Sequence, residues 1–280
     1  MVLGETLLGR YTVDRQIAEG GMGIVYRAVD RDGTPVCIKR VRTEAGATAE
    51  VLARFKREAE VHSMLDHPNI ASLHTVGSSA DGTPFFVMEF VHGQSLGEIL
   101  EAGPLPIRRA LHLAGQVLSA LAYAHQFGLV HRDLKPDNVL VAPGPPEQAK
   151  IIDFGLVKLL QDVHAGDEAK QLTAQGVLFG TPQYMSPEHI TGEPIDARSD
   201  LYAMGVMLFM MLTGRPPFDS PEITDLWRAH MYAPVPALAS FNPAVTDDNL
   251  DAIVQILLAK KACDRFDNAG AARRALLSLL

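Results

Sequence analysis

The chain has 280 residues, enough to bury a large core in one or two lobes of roughly 100–200 residues each. Its 33 acidic against 25 basic side chains leave a formal charge of −8, which argues against nucleic acid or an anionic membrane as a general partner, since both attract basic surfaces. Cys37 and Cys263 are the only cysteines, so neither a disulfide framework nor a zinc-type pair is expected, and a reducing, cytoplasmic setting fits.

Residues 1–10 lack the apolar run of a signal peptide. Residues 11–17 and 24–29 have the pattern of strands flanking a glycine cluster, and 35–41 alternates apolar and polar positions. Over 48–66 the period becomes helical, with Val51, Leu52, Phe55, Ala59 and Leu65 recurring among charges. Residues 85–91 form a compact apolar strand, and His92-Gly93-Gln94 resembles a linker. From Ser95 onward the pattern is mainly helical, over 105–126, 199–213, 247–259 and 269–279, interrupted by short strands at 139–141 and 150–152 around a Pro/Gly turn at 142–147. The longest uncharged stretch, 201–212, would reach roughly 18 Å as a helix against about 30 Å of bilayer hydrocarbon. It is expected to be a buried core helix. A small β-rich lobe followed by a larger helical one suggests a ligand site in a cleft between them.

Three segments carry chemistry. Ala18-Glu19-Gly20-Gly21-Met22-Gly23-Ile24-Val25 lets backbone N–H groups approach phosphate oxygens without a Cβ in the way. Alone it is equally a hairpin turn. A strand rather than a helix follows it, so the dinucleotide-binding pattern fails, and no Gly-Lys-Ser/Thr ending is present. On the next strand Cys37 and Lys39 share one face, and an ion pair of Lys39 with Glu58 would aim the ammonium at phosphates. The decisive stretch is His131-Arg132-Asp133-Leu134-Lys135-Pro136-Asp137-Asn138, with Asp153-Phe154-Gly155 fifteen residues after it. One Asp can orient the proton of an attacking hydroxyl, while an Asn and a second Asp offer the oxygen ligands that Mg²⁺ prefers.

Taken in order, the glycine loop, strand lysine, His-Arg-Asp loop, Asp-Phe-Gly and Ser186-Pro187-Glu188 resemble the protein kinase family, over residues 11–279. The wording, as in Gly-Thr-Pro-Gln-Tyr-Met-Ser-Pro-Glu, is similar to bacterial eukaryotic-like kinases, and Lys135 matches serine/threonine rather than tyrosine kinases. The resemblance implies an α+β, two-lobed fold: a small antiparallel β-rich N-lobe with one helix (about 1–90), a hinge (about 89–94) and a larger, mainly helical C-lobe (about 95–280), with the kinase domain over 11–280. It implies transfer of the ATP γ-phosphoryl group to protein Ser/Thr hydroxyls, with ATP and Mg²⁺ as cofactors and Mn²⁺ as a substitute. The alternative is a kinase-shaped scaffold with little turnover.

Residue by residue, the resemblance makes Asp133 the catalytic base and Lys135 the group that steadies the phosphoryl. Asn138 and Asp153 become Mg²⁺ ligands, and Lys39 with Glu58 holds the α- and β-phosphates. Ala18, Gly20 and Gly23 lie in the loop over the phosphates. Val25, Cys37 and Leu140 sandwich adenine, Met88 gates its pocket, and the backbones of Glu89 and Val91 hydrogen-bond the base. Glu188 and Arg265 match a buried ion pair, Thr181 contacts the catalytic Asp and Lys, and Asp200 bonds the catalytic-loop backbone. Thr173, Thr181 and Arg132 are the regulatory expectations: the long polar segment 153–188 fits autophosphorylation at Thr173, with the phosphate pairing with Arg132 or another arginine, although Gln175 stands where a second threonine is common. The implied partners are a protein substrate and, for autophosphorylation, a transient second copy. No nucleic acid and no membrane contact are expected within this segment, whereas a membrane anchor outside it fits a cytoplasmic domain.

Three positions depart from the family pattern. Ala18 replaces the first glycine and would cost about 1–2 kcal/mol if that position needed positive φ. Cys37 replaces alanine, as a small apolar residue or as a thiol whose pKa the Lys39 charge lowers. His62 replaces an apolar member of a stack with Leu73, His131 and Phe154.

Overall fold

The computed structural model describes residues 1–20, 23–41, 59, 62–154 and 181–280. Two compact units result, one from Met1–Val91 and the other from His92–Phe154 with residues 181–280.

The first unit is a six-stranded antiparallel sheet of β1 (Thr6–Leu7), β2 (Tyr11–Gly20), β3 (Gly23–Val29), β4 (Pro35–Val41), β5 (Leu73–Ser78) and β6 (Pro84–Glu89), ordered β1-β2-β3-β4-β6-β5. Alternation along the strands separates two faces. Tyr26, Ala28, Val36, Ile38 and Val87 fill a core with Leu7, Tyr11, Val13 and Phe85. Their strand neighbours Val25, Cys37, Lys39 and Met88 stand on the other face, registered as Val25↔Lys39 and Cys37↔Met88. Asp-Gly turns close two hairpins. Asp32 Oδ1 accepts from the Thr34 amide (2.9 Å), and Asp81 Oδ1 accepts from Ser79 Oγ (2.6 Å) and the Thr83 amide (3.1 Å).

Strand β5 was not expected. It carries His74, Thr75, Gly77 and Ser78, has a register shift between Leu73 and Thr75, and therefore lacks a clean apolar alternation. Gly77 is required there, since a Cβ would lie 2.6 Å from the Phe85 ring. Most of the helix expected over 48–66 lies outside the described residues. Ala59, His62 and Ser63 within it are helical.

In the second unit, β7 (Gln94–Ser95), β8 (Val139–Ala142) and β9 (Gln148–Ile151) form a small antiparallel sheet, and the rest is helical: α1 (Leu96–Leu100), α2 (Ile107–Gln126), α3 (Pro187–Thr191), α4 (Ala197–Thr213), α5 (Ile223–Tyr232), α6 (Asp248–Leu257) and α7 (Ala269–Leu277). Residues 92–94 are less a linker than a fitted joint: β7 pairs with β8, and a Cβ on Gly93 would lie 2.3 Å from the Val141 carbonyl oxygen. Helix α2 buries Leu111, Leu113, Val117, Leu118 and Leu121 and packs on α4, α7 and β9. The apolar stretch 201–212 lies inside α4, which is buried on nearly all sides, the condition under which a helix can dispense with a polar face. Asp196 caps its start by accepting from the Arg198 amide (2.7 Å), and Gly214, at φ +77°, ends it. Gly205 lets α6 approach, because a Cβ there would lie 2.8 Å from Leu257 Cβ. Among the described residues no helix is long and apolar enough to cross a membrane.

Candidate active site

The loop ahead of β8 is built on a buried carboxylate. Asp200, in the first turn of α4, accepts the His131 amide on Oδ2 (2.8 Å) and the Arg132 amide on Oδ1 (3.0 Å). Arg132 stands at φ +64°, a left-handed conformation that costs a non-glycine residue about 1–2 kcal/mol, and these two charge-assisted bonds offset that cost. Burial alone would push the Asp200 pKa up. The hydrogen bond from His125 (Nε2 to Oδ2, 2.8 Å) and that from the His131 amide hold it below the usual carboxylate range.

The His131 ring is fully buried and works in one tautomer. Its Nε2–H donates to the Ile152 carbonyl (3.3 Å), which leaves Nδ1 to accept the Asp133 amide (3.3 Å). Burial lowers its pKa and keeps it neutral, against the opposing pull of Asp200. Asn138 Nδ2 donates to the Asp133 carbonyl (2.8 Å), so both backbone groups of Asp133 are tied down. Its carboxylate Oδ2 lies 3.6 Å from Lys135 Nζ, and Lys135 donates to Thr181 Oγ1 (3.0 Å). The Ile152 amide donates to the Asn138 carbonyl (2.9 Å), linking the loop to Asp153, which stands at φ +59°. A small recess opens here, lined by Arg132, Asp133, Thr181, Tyr184, His189 and Asp200 among others.

Behind this site Glu188 and Arg265 form the expected ion pair, bidentate and buried, at 2.7 Å (Nη1 to Oε1) and 2.8 Å (Nη2 to Oε2). Ser199 Oγ adds a donor to Oε1 at 2.6 Å. Burial would raise the Glu188 pKa, but Arg265 and Ser199 bring it down to about 2.

The first unit holds the other expected residues. Lys39 is buried on the sheet face that carries Val25, Cys37 and Met88, and Cys37 is half-buried. Gly20 pairs with Gly23 at the end of the β2–β3 hairpin, and Gly23 stands at φ +151° where a Cβ would strike the Arg40 carbonyl. Ala18 lies in β2 opposite Val25 and is not among the positive-φ residues, so the cost foreseen for it does not arise. The Glu89 amide donates to the Ser72 carbonyl (2.8 Å). Val91 ends this unit, while Leu140 belongs to β8 of the other. The His131 and Phe154 rings meet at 4.9 Å, half of the expected stack, and His62 is buried in the first unit. Glu58, Gly155 and Thr173 lie outside the described residues.

Sequence reasoning missed His125 and Ser199, the side chains that complete Asp200 and Glu188. The only signal was their position: His125 in the last turn of α2 and Ser199 one residue before Asp200.

Chemically, a carboxylate and a lysine stand beside one another, followed by an amide oxygen and a second carboxylate. This set can take a proton from a hydroxyl, neutralise an oxyanion and hold a hard cation. The protein kinase domain model matches residues 11–270. The serine/threonine-protein kinase PknA of Mycobacterium tuberculosis is 38% identical over 274 residues, covering 96% of this chain and 61% of PknA. Pkn3 of Myxococcus xanthus, also a serine/threonine-protein kinase, is 38% identical over 268 residues, covering 94% of this chain and 48% of Pkn3. The crystal structure of the PknI kinase domain of Mycobacterium tuberculosis matches with a TM-score of 0.76 at 28% identity, covering 100% of both chains. The chain belongs to the protein kinase family. It spans roughly half the length of these two curated relatives.

Proposed function

We propose that this chain transfers the γ-phosphoryl group of ATP to serine or threonine hydroxyls of proteins, its own included. The observation that carries this reading is the Asp133 carboxylate 3.6 Å from Lys135 Nζ, with Lys135 in turn bonded to Thr181. Asp133 accepts or orients the proton of the acceptor hydroxyl, and Lys135 offsets the charge that develops on the transferring phosphoryl. Lys39 holds the α- and β-phosphates under the Gly20–Gly23 hairpin. Val25, Cys37 and Leu140 flank adenine, Met88 bounds its pocket, and the Glu89 carbonyl with the Val91 backbone hydrogen-bonds the base.

A divalent cation fits the donor set. Asn138 commits its Nδ2 to Asp133, which leaves Oδ1 for a metal, and Asp153 adds carboxylate oxygens. Two protein ligands suit Mg²⁺, which is usually held by one or two carboxylates together with substrate phosphates. Asn138 and Asp153 would hold the cation, which when bound would supply positive charge to offset that of the nucleotide phosphates. Mn²⁺ shares the oxygen preference and would substitute.

Autophosphorylation falls on residues 156–181, with Thr173 the first choice and a transient second copy as the partner. The scaffold alternative rested on Ala18, and the pairing of Ala18 with Val25 removes that ground. The test is incorporation from radiolabelled ATP into a generic basic protein by wild type and Asp133→Asn, followed by mass spectrometry of residues 156–181. The variant should lose about 100- to 10,000-fold, the range of a lost general base. Equal incorporation by both would end the enzymatic reading.

A further inference from the structure

Asn138 and Asp153, the cation ligands of the reading above, stand at the inner end of one short hairpin. Asn138 immediately precedes β8, Asp153 follows β9 by two residues, and the pairs from Val139↔Ile151 to Ala142↔Gln148 join the strands. In the sheet order β7-β8-β9, strand β9 lies at the edge. Its outer side faces α2, and there Gln116 takes the place of a further strand. Gln116 Oε1 accepts the Ala149 amide (2.8 Å), and Nε2 donates to the Glu147 carbonyl (2.9 Å). A parallel neighbour would bond these same two groups, one on either side of residue 148. The orientation of the Gln116 amide follows from its partners, of which one only accepts and the other only donates. Arg109, about two helical turns earlier on the same face of α2, adds a fork to the Glu147 carboxylate, Nε to Oε2 at 2.7 Å and Nη2 to Oε1 at 2.8 Å.

We propose that Gln116 and Arg109 are positioning residues for the divalent cation: by docking the outer end of the β8–β9 hairpin on α2, they fix β9 and with it the place of Asp153. Their role depends on the kinase reading, with Asn138 and Asp153 as ligands. A hairpin this short is marginal by itself, and β7 adds a pairing of only two residues. The docking contacts are specific for register. A slip of one residue would turn every side chain of β9 to the other face and take Glu147 away from Arg109. At the inner end, the Ile152 amide donates to the Asn138 carbonyl (2.9 Å), which ties the two ligand-bearing segments to each other. Gln116 and Arg109 tie them to a helix whose other side is buried in the core. Cation ligands tolerate errors of only about 0.2 Å, so loosening the hairpin weakens the cation first. Nucleotide contacts carried by the first unit are untouched.

Gln116→Met and Arg109→Met keep most of the side-chain volume and remove the bonds. Asn242→Ala is the control, since it also removes a side chain bonded twice to backbone, at the Leu212 carbonyl (2.7 Å) and the Ala244 amide (3.1 Å), on other elements of the same unit. The measurements are Mn²⁺ binding by electron paramagnetic resonance with a non-hydrolysable ATP analogue present, binding of that analogue without metal, amide exchange over residues 147–153, melting, and kcat at saturating Mg²⁺. The expected result is Mn²⁺ binding roughly 10-fold weaker in both Met variants, the low end for groups that orient metal ligands from behind. Exchange over 147–149 should quicken, metal-free nucleotide binding should stay near wild type, and high Mg²⁺ should restore kcat. Asn242→Ala should melt lower yet bind Mn²⁺ as wild type does. The proposal fails if either Met variant binds Mn²⁺ as tightly as wild type, or if Asn242→Ala loses as much as they do, which would make the effect one of stability. Should Gln116→Met not fold, Arg109→Met, which gives up a partly exposed ion pair, decides alone. Wild type no more active than Asp133→Asn, or no tighter for Mn²⁺ than Asp153→Asn, sinks the kinase reading instead.

Discussion

Replacing Arg265 with alanine empties a buried site with an unusual number of bonds. The guanidinium makes two contacts with Glu188, donates from Nη1 to the Arg198 carbonyl (2.9 Å), from Nη2 to the Lys260 carbonyl (3.2 Å) and from Nε to the Ala259 carbonyl (2.9 Å), and lies over the Tyr202 ring at 4.9 Å. Removing one partner of such a pair leaves an uncompensated buried charge, a loss of about 3–5 kcal/mol. Against a total stability of about 5–15 kcal/mol this is a large fraction, and in a chain of this size it lowers Tm by about 6–20 °C. The stranded carboxylate gives the test its sign. In the wild type, with the Glu188 pKa depressed to about 2, the pair's stability is present above the unfolded value near 4.5 and lost as pH falls toward 2. In Arg265→Ala, burial dominates and the Glu188 pKa rises, so the variant's deficit should shrink on acidification. The Glu188→Ala, Arg265→Ala double variant should be less destabilised than the sum of the singles. Urea and thermal melts at several pH values measure all of this. A deficit for Arg265→Ala under about 1 kcal/mol at neutral pH, or one that grows on acidification, would refute the reasoning.

Gly23→Ala places a Cβ against the Arg40 carbonyl at a φ that side chains rarely adopt, so the β2–β3 hairpin must shift. ATP KM should rise at least several-fold while melting changes little, as measured by nucleotide titration and calorimetry. His230 is buried against Phe218 and Tyr202, with Tyr202 Oη 2.8 Å from Nδ1. Burial, aided by the Lys260 charge, depresses its pKa to about 4. Its contribution to stability is therefore present above an unfolded pKa near 6.5 and is lost between pH 6.5 and 4, about 3 kcal/mol in all. His230→Gln should flatten the stability profile across that window, and parallel profiles for the two proteins would contradict the assignment.

How far these features were legible in the sequence differs case by case. The catalytic loop was legible because its residues are neighbours: Asp133, Lys135 and Asn138 sit within six positions, and the backbone ties among them are local. Strands β3 and β4 were legible because one face is core and the alternation is clean. Glu188 and Arg265, 77 positions apart, were reached through family likeness alone, since spacing says nothing about a pair formed by two distant segments. Helix α5 escaped notice because it is short and starts at Glu222 without a side-chain cap. Ala18 shows the opposite error. The glycine pattern suggested strain, whereas an extended strand position accepts any side chain.

The buried polar groups that matter most converge on the first two turns of one otherwise apolar helix. Ser199 of α4 bonds Glu188, Asp200 bonds the catalytic loop and His125, and Tyr202 bonds His230 and underlies Arg265. Beyond them, from Ala203 to Leu212, α4 presents only apolar side chains and Gly205. A helix so built is a poor place for charge unless each group is paired, because unpaired buried charges are costly. Paired, the groups transmit position rather than merely stability, since a buried carboxylate with several directional donors has few alternative orientations. On that argument lesions at Arg265 and His125, though both act through α4, should separate cleanly. The first should lower melting with catalysis per folded molecule preserved, and the second should lower kcat with melting largely preserved.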